Sequence, residues 1–379
     1  MRYKLKEIFD LQMGKTPSRN NPDYWGTEDN KWISIADLTK AGKYISDTKE
    51  FLSDAAVKES GIKIIPANTV IMSFKLSIGK TAITAEDMYS NEAIMAFHDK
   101  HAVDILPEYI FYLFKYRNWD ESSNKAVMGK TLNKATLSEM EIDVCSIKKQ
   151  REIVAVLDKM MRVLVNREKE LFLLDNLIKA RFVEMFGTGN YPIEKLGAVC
   201  KKITDGTHKT PTYLNEGITF ISAKNIVNGE LDFTDIKYIS EIEYQEIQKR
   251  CQTAIYDILL SKSGSLGSPV IVKTEKKLGL FESLAILKYD RKKLVPEFLC
   301  EQLKTDRIQR QFTTGTKGVA IKHLHLGVIA DTDIIVPALD EQKEFADFVH
   351  QVNKSKVKVQ KALDETQKLF DSLMQQYFG

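Results

Sequence analysis

Cysteine is scarce in this chain: Cys145, Cys200, Cys251 and Cys300 lie about fifty residues apart and form no Cys-x-x-Cys pair. That spacing points to reduced structural thiols in a cytoplasmic protein and excludes a disulfide framework. Long apolar runs are missing too, since nothing approaches the roughly 18 residues a membrane span requires. The first nine residues place Arg2, Lys4, Lys6 and Glu7 among isolated apolar side chains, without a signal-peptide core. Excess charge is small: 55 Lys and Arg stand against 52 Asp and Glu, a net +3. Any nucleic-acid surface must therefore come from local clustering.

Motifs for nucleotides and metals are equally absent. Gly-Lys-Thr occurs at 14–16, 79–81 and 129–131, but Phe9, Phe74 and Asn124 stand where a phosphate loop needs an earlier glycine. Gly187-Thr188-Gly189 follows a helical pattern, not a strand, so it reads as a helix stop and not a methyl-donor loop. Pro22-Asp23 and Asp29-Asn30-Lys31 are too close in sequence to place carboxylates on neighbouring strands around one Mg²⁺. His98 with His101, and His323 with His325, lack further ligands at zinc spacing. No metal or cofactor is expected, and the chain reads as a non-catalytic protein.

What is present is a chain written twice. Thr69-Val70-Ile71-Met72-Ser73 returns as Asp257-Ile258-Leu259-Leu260-Ser261, and Leu106-Pro107-Glu108-Tyr109-Ile110 as Val295-Pro296-Glu297-Phe298-Leu299. Met185-Phe186-Gly187 returns as Tyr377-Phe378-Gly379. A period near 190 residues is far longer than a solenoid unit of roughly 20–50. Two copies of a domain-plus-helix therefore form an internal pseudo-two-fold repeat, which suits a target with two halves such as duplex DNA.

The clearest local pattern is a heptad seam. Ile153, Leu157, Met160, Leu164, Leu171, Leu174, Ile178 and Met185 alternate steps of four and three, interrupted by Arg167 and Arg181. The second copy carries Phe345, Val349, Val352, Val359, Leu363, Phe370, Leu373 and Tyr377, interrupted by Lys356 and Thr366. The spacing predicts two coiled-coil helices of about 55 Å each, with the polar positions setting register. A two-fold relation between the copies would make them antiparallel. Glycine and proline in 187–192 mark the hinge after the first.

Outside the helices, β-branched runs at 62–72, 81–84, 218–222, 255–260 and 270–272 predict strands, and Pro107 and Pro296 each open a short helix. The expected fold class is α+β: two mixed α/β recognition domains separated by two long antiparallel coiled-coil helices. The expected boundaries are 1–148, a helix over 149–187, a linker over 188–194, a second domain over 195–341 and a helix over 342–379.

Three polar loops recur once per copy. The first carries Lys15, Thr16, Ser18, Arg19 and Asn20, matched by Lys209, Thr210, Thr212 and Tyr213. The second carries Lys75, Ser77 and Lys80, matched by Lys262, Ser263 and Ser265. The third carries Lys130, Asn133 and Lys134, matched by Lys317, Lys322 and His323. Cations and small hydroxyls suit phosphate contact, while Arg19, Asn20 and Asn133 have the chemistry to read base edges. These loops are expected to form a modest basic surface.

The segment Ile64-Ile65-Pro66-Ala67-Asn68-Thr69-Val70-Ile71-Met72-Ser73, continuing to Ile78-Gly79-Lys80, resembles the specificity (S) subunits of type I restriction-modification systems. So do the helix entries Gln150-Arg151-Glu152-Ile153 and Asp340-Glu341-Gln342-Lys343-Glu344-Phe345. The first entry departs from the family pattern, with Lys148-Lys149 where the second copy has the more usual Pro337 and Asp340. The resemblance spans the chain and implies two target-recognition domains, each reading half of a bipartite, asymmetric sequence in double-stranded DNA. It also implies helices that set the gap and dock two methyltransferase (M) subunits, which recruit restriction (R) subunits. S-adenosylmethionine, ATP and Mg²⁺ would belong to those partners. Two other readings are a specificity protein of a related DNA-modification or phage-defence system, and a DNA-binding enzyme with unrecognised catalytic residues.

Overall fold

The computed structural model describes residues 1–75, 77–119, 132–314 and 323–379. The chain forms two compact units, Met1–Arg167 with Ala362–Gly379, and Glu168–Lys361. Among the described residues, no helix is long and apolar enough to cross a membrane.

The two units repeat one plan. In the first, Arg2–Lys4 pairs antiparallel with Glu141–Asp143. A five-stranded sheet runs in the order Phe9–Met13, Ile94–Asp99, Val70–Ser73, Thr81–Thr84, Tyr44–Ile45, and a three-stranded sheet in the order Glu50–Leu52, Trp25–Ile33, Tyr89–Ser90. In the second, Ile193–Lys195 pairs with Asp333–Ile335. Its sheets run Cys200–Asp205, Leu284–Tyr289, Ile258–Ser261, Pro269–Ile271, and Lys237–Ile239, Ile218–Ile221, Leu278–Leu280. Each of these strands but Tyr44–Ile45 thus has a counterpart in the other copy.

The strand expected over 62–72 is shorter than its β-branched content suggests. Pro66 has no N–H to give a ladder, and Asn68 adopts a left-handed φ of 61°, so the continuous strand is Val70–Ser73 and Ile65 makes an isolated bridge to Met88. The run over 255–260 is trimmed in the same way, because Tyr256 turns the backbone with φ 68° before Ile258–Ser261. Three cysteine thiols, those of Cys200, Cys251 and Cys300, are pushed up to about 12 by burial, and all four cysteines are unpaired. Protonated, they act as small packing groups.

Both proline-opened helices form, at Pro107–Tyr116 and Pro296–Leu303. Residues Tyr109 to Phe114 are all buried, because one helix face meets the sheet and the other meets a long helix. Phe114 contacts Phe97 of the sheet at 4.8 Å between ring centroids, and Tyr112 donates its hydroxyl to Asp158 at 2.5 Å. In the second unit Phe298 stacks on Phe182 at 5.7 Å and meets Phe186 edge-on at 4.9 Å.

The long helices run Ile147–Phe186 and Leu339–Phe378, 40 residues each, or about 60 Å. Their antiparallel pairing is visible inside each unit. In the second, Asp175 meets Lys356 at 2.6 Å while Arg181 meets Glu344 at 2.8 Å, so one helix advances as the other retreats. In the first, Leu157 and Leu164 share a core with Phe370 and Met374. Every expected seam residue is buried or half-buried. Arg181 and Lys356, the polar interruptions, make those cross-helix ion pairs, which favour this register over its neighbours.

One polar contact fixes how each long helix leaves its domain. Gln150 is fully buried; its Oε1 accepts the Leu106 N–H, and its Nε2 donates to the carbonyls of Asp104 and Cys145, each at 2.9 Å. Gln342 repeats this with the Val295 N–H and the carbonyls of Lys293 and Pro337, again each at 2.9 Å. The amide thus joins the helix entry to the segment preceding the proline-opened helix. Replacing Gln342 with leucine keeps the volume but strands one N–H and two carbonyls, at about 1–3 kcal/mol for each group left unpaired. Thermal unfolding of Gln342→Leu should show a midpoint lower by about 5–10 °C. An unchanged midpoint would mean the clamp does not hold the fold.

Candidate nucleic-acid interface

The three polar loops of each copy converge on one short turn, a relation hidden in the sequence. In the first unit the turn is 90–94. Ile94 O accepts the Gly14 N–H at 3.1 Å, Ser90 O accepts Lys15 N–H at 2.8 Å, and Ala93 O accepts Phe74 N–H at 3.0 Å. Phe74 O then accepts the Leu132 N–H at 3.1 Å, which brings in the third loop. The second unit does the same at 280–284. Gly206 N–H reaches Leu284 O at 3.2 Å, Lys262 N–H reaches Ser283 O at 2.7 Å, and Leu324 N–H reaches Lys262 O at 2.9 Å.

Matched small residues make these loops stiff. A Cβ on Gly14 would lie 2.3 Å from Ser90 O, and one on Gly206 would lie 2.1 Å from Leu280 O. Ser73, fully buried, donates its hydroxyl to Ser77 O and accepts the Lys80 N–H at 3.0 Å. Ser261 does the same with Ser265 O and the Ser268 N–H, the latter at 2.8 Å. Gly79 and Gly267 close these loops at φ 86° and 74°, and a Cβ on either would lie 2.7 Å from Trp119 or Phe312. The frame therefore fixes the loop backbone from which the exposed side chains project.

The candidate side chains vary in how free they are. Lys80, Lys134, Ser77, Asn20 and Ser18 are exposed, as are Lys209, Thr210, Thr212, Tyr213 and Ser265. Lys75, Ser263 and His323 are half-buried. Lys15 is exposed but its Nζ donates to Ser60 O, and Thr16 donates to Glu92. Asn133 caps the short helix Lys134–Glu139, accepting the Thr136 N–H at 2.8 Å through its side-chain oxygen. Arg19 lies 3.6 Å over the Trp25 ring and gives both terminal nitrogens to Glu50. Lys130, Lys317 and Lys322 lie outside the described residues.

Lys262 is a correction. Expected on a basic surface, it is 5% exposed and its Nζ pairs with Asp205. An ammonium so desolvated requires a carboxylate partner, and Asp205 is equally buried, with 3% of its side chain exposed. Burial pushes the Asp205 carboxyl up, but Lys262, with Arg250 and His208, outweighs it and holds the group below its usual value. His208 completes the cluster, with Nε2 at 3.2 Å from Asp205 and Nδ1 at 2.6 Å from Glu282. None of Asp205, Arg250 or Glu282 stood out in the sequence, because partners within the cluster lie up to 74 residues apart. The only available hint was Glu92 and Glu282 in matched positions, each on the turn where the loops converge.

Comparison with known proteins accords with the doubled plan. The family model described as the type I restriction modification DNA specificity domain matches residues 1–171 and again 190–366. The type I restriction enzyme MjaIX specificity subunit of Methanocaldococcus jannaschii is 24% identical over 400 residues, covering 98% of this chain and 90% of that protein. The EcoBI specificity subunit of Escherichia coli is 29% identical over 140 residues, covering 37% of this chain and 29% of that one. Among solved structures, a type I restriction-modification S subunit from M. genitalium superposes with TM-score 0.56 at 14% identity, covering 100% and 96% of the two chains. A chain from a study of assembly and conformational transition in a type I system gives 0.58 at 16%, covering 100% and 97%. These last two likenesses are of fold. Matched in both of its halves by the same domain model, this chain belongs to the type I restriction-modification DNA specificity family.

Proposed function

We propose that this chain is the DNA-recognition subunit of a type I restriction-modification complex, in which each unit reads one half of a bipartite, asymmetric target. The observation that carries this reading is the contrast between matched framework and unmatched loops. Gly14 and Gly206, Ser73 and Ser261, and Gly79 and Gly267 hold the same turns, while Arg19, Lys80 and Asn133 have no like residue among Tyr213, Ser268 and His325. Two similar scaffolds with different side chains are what two different half-sites require. In this reading the recognition domains are 1–148 and 195–341, the spacers 149–187 and 342–379, and the linker 188–194.

The long helices serve as the ruler between half-sites and as the docking surface for two methyltransferase subunits. Methyl transfer and cleavage then fall to partner subunits. Support comes from apolar side chains on the solvent side of the seam. Val165 and Leu177 recur as Val357 and Leu369, all between 46% and 69% exposed. Identical exposed aliphatics 192 positions apart suit one species of partner bound twice.

Four experiments test this reading. Methylome sequencing of cells expressing the chain with a cognate methyltransferase should show two short sequence blocks separated by a fixed gap. Exchanging residues 195–341 for another such domain should alter one block alone; a change in both would end the modular reading. Inserting four residues near Asn166, with a matching insertion in the second helix, should change the gap and leave both blocks intact. An unchanged gap in an active variant would remove the ruler. Finally, Leu177→Glu and Leu369→Glu should each weaken methyltransferase co-purification by about tenfold or more, since burying one leucine contributes roughly 1.5–3 kcal/mol.

A further inference from the structure

The Asp205 cluster stands where the three loops of the second unit meet. Asp205 directly precedes the first loop, Lys262 belongs to the second, and the carbonyl of Lys262 accepts from Leu324 beside the third. Arg250 reaches this point from the last turn of the helix Glu241–Arg250, with its own carbonyl held by Lys202 Nζ at 2.6 Å. One guanidinium nitrogen, Nη2, is committed to Asp205 and lies 3.5 Å from His208 Nε2. Nε and Nη1 have no partner among the described residues, and the side chain is 52% exposed.

We propose that Arg250 is a base-reading residue of the second unit, oriented by Asp205 to present its donor fork to a guanine edge. The inference rests on the DNA-recognition reading and names a specificity determinant within it. Charge distribution favours a base over a phosphate. A phosphate clamp works through net positive charge, and Asp205 with Glu282 cancels most of the charge that Arg250 and Lys262 bring. Anchoring one N–H of Nη2 instead fixes the guanidinium plane, so that the second N–H of Nη2 and the neighbouring N–H of Nη1 or Nε face one way, the pair that bidentate contact with guanine O6 and N7 needs. Lys262 plays a separate part: as a buried cation it keeps Asp205 ionised and stationary, so Asp205 is a positioning residue. Arg19 differs, since both of its terminal nitrogens are spent on Glu50.

The device belongs to one copy. Met13, Phe74 and Thr16 occupy the places that Asp205, Lys262 and His208 take in the second. The geometry thus assigns the guanine contact to one half-site, with no counterpart in the other.

The test is selection of bound duplexes from a randomised library by the full chain assembled with its methyltransferase, followed by affinity measurement on the selected duplex. Arg250→Ala should relax one guanine position in one half-site, leave the other half-site unchanged, and weaken binding by about tenfold to a hundredfold. Arg250→Lys keeps the charge without the fork and should relax the same position. Asp205→Asn should do likewise, and add nothing further in combination with Arg250→Ala. Because Arg250 is half exposed, its variants should fold, which a melting curve checks independently. A uniform loss of affinity with the sequence profile intact would make Arg250 a phosphate contact and overturn the proposal. So would an unchanged profile at unchanged affinity. If the unaltered assembly selected no sequence at all, the DNA-recognition reading itself would fall, an outcome separate from the other two.

Discussion

The rest of the structure depends on a primary amide buried at the root of each long helix. Apolar packing joins each recognition fold to its helices, but such packing has no direction of its own and tolerates sliding. Gln150 and Gln342 supply direction, because each amide satisfies one N–H and two carbonyls that have no water to turn to. Rotating a helix by even part of a turn would break all three bonds at once. The aromatic contacts of Phe182, Phe186 and Phe298 then pack around an angle already set.

A similar economy governs the loops. Hydrogen bonds that shape them involve backbone groups and a buried serine, not the side chains displayed outward. Side chains at the rim can therefore change without altering the loop beneath. The two copies show how far this freedom extends: where the first has Met13 and Phe74, the second has an ion pair between Asp205 and Lys262. The buried pair adds little net stability against an apolar equivalent, since desolvation opposes it. Its value is geometric, because it fixes the position of a buried carboxylate beneath the loops.

Periodic features were legible in the sequence. The heptads declared the long helices, and the two-copy register declared their antiparallel course, because both rest on spacing alone. The glutamines were visible as part of the helix entries, yet not as clamps, since their partners come from segments some 46 residues away. Strand limits were misjudged where one residue overrides a β-branched run, as Asn68 and Tyr256 do. The recurrence of polar loops was readable, but the state of each side chain was not. Arg19 looks free until Glu50 is brought beside it, and Lys262 looks exposed until Asp205 is. Arg250 gave no signal, being one more cation at the end of a polar helix.

The division of the chain into units has a consequence for synthesis. Glu168–Lys361 is one continuous stretch, so the second unit can close its core as soon as that stretch is made. The first unit cannot, because Phe370 and Met374 complete its core and lie in the segment Ala362–Gly379. Although its recognition fold emerges before the second unit, that half must wait, with Leu157 and Leu164 uncovered, for residues translated after the whole of the second unit. Folding order is thereby inverted relative to translation order, and the helical turns of Ala362–Gly379 act as the closing seal on the first unit.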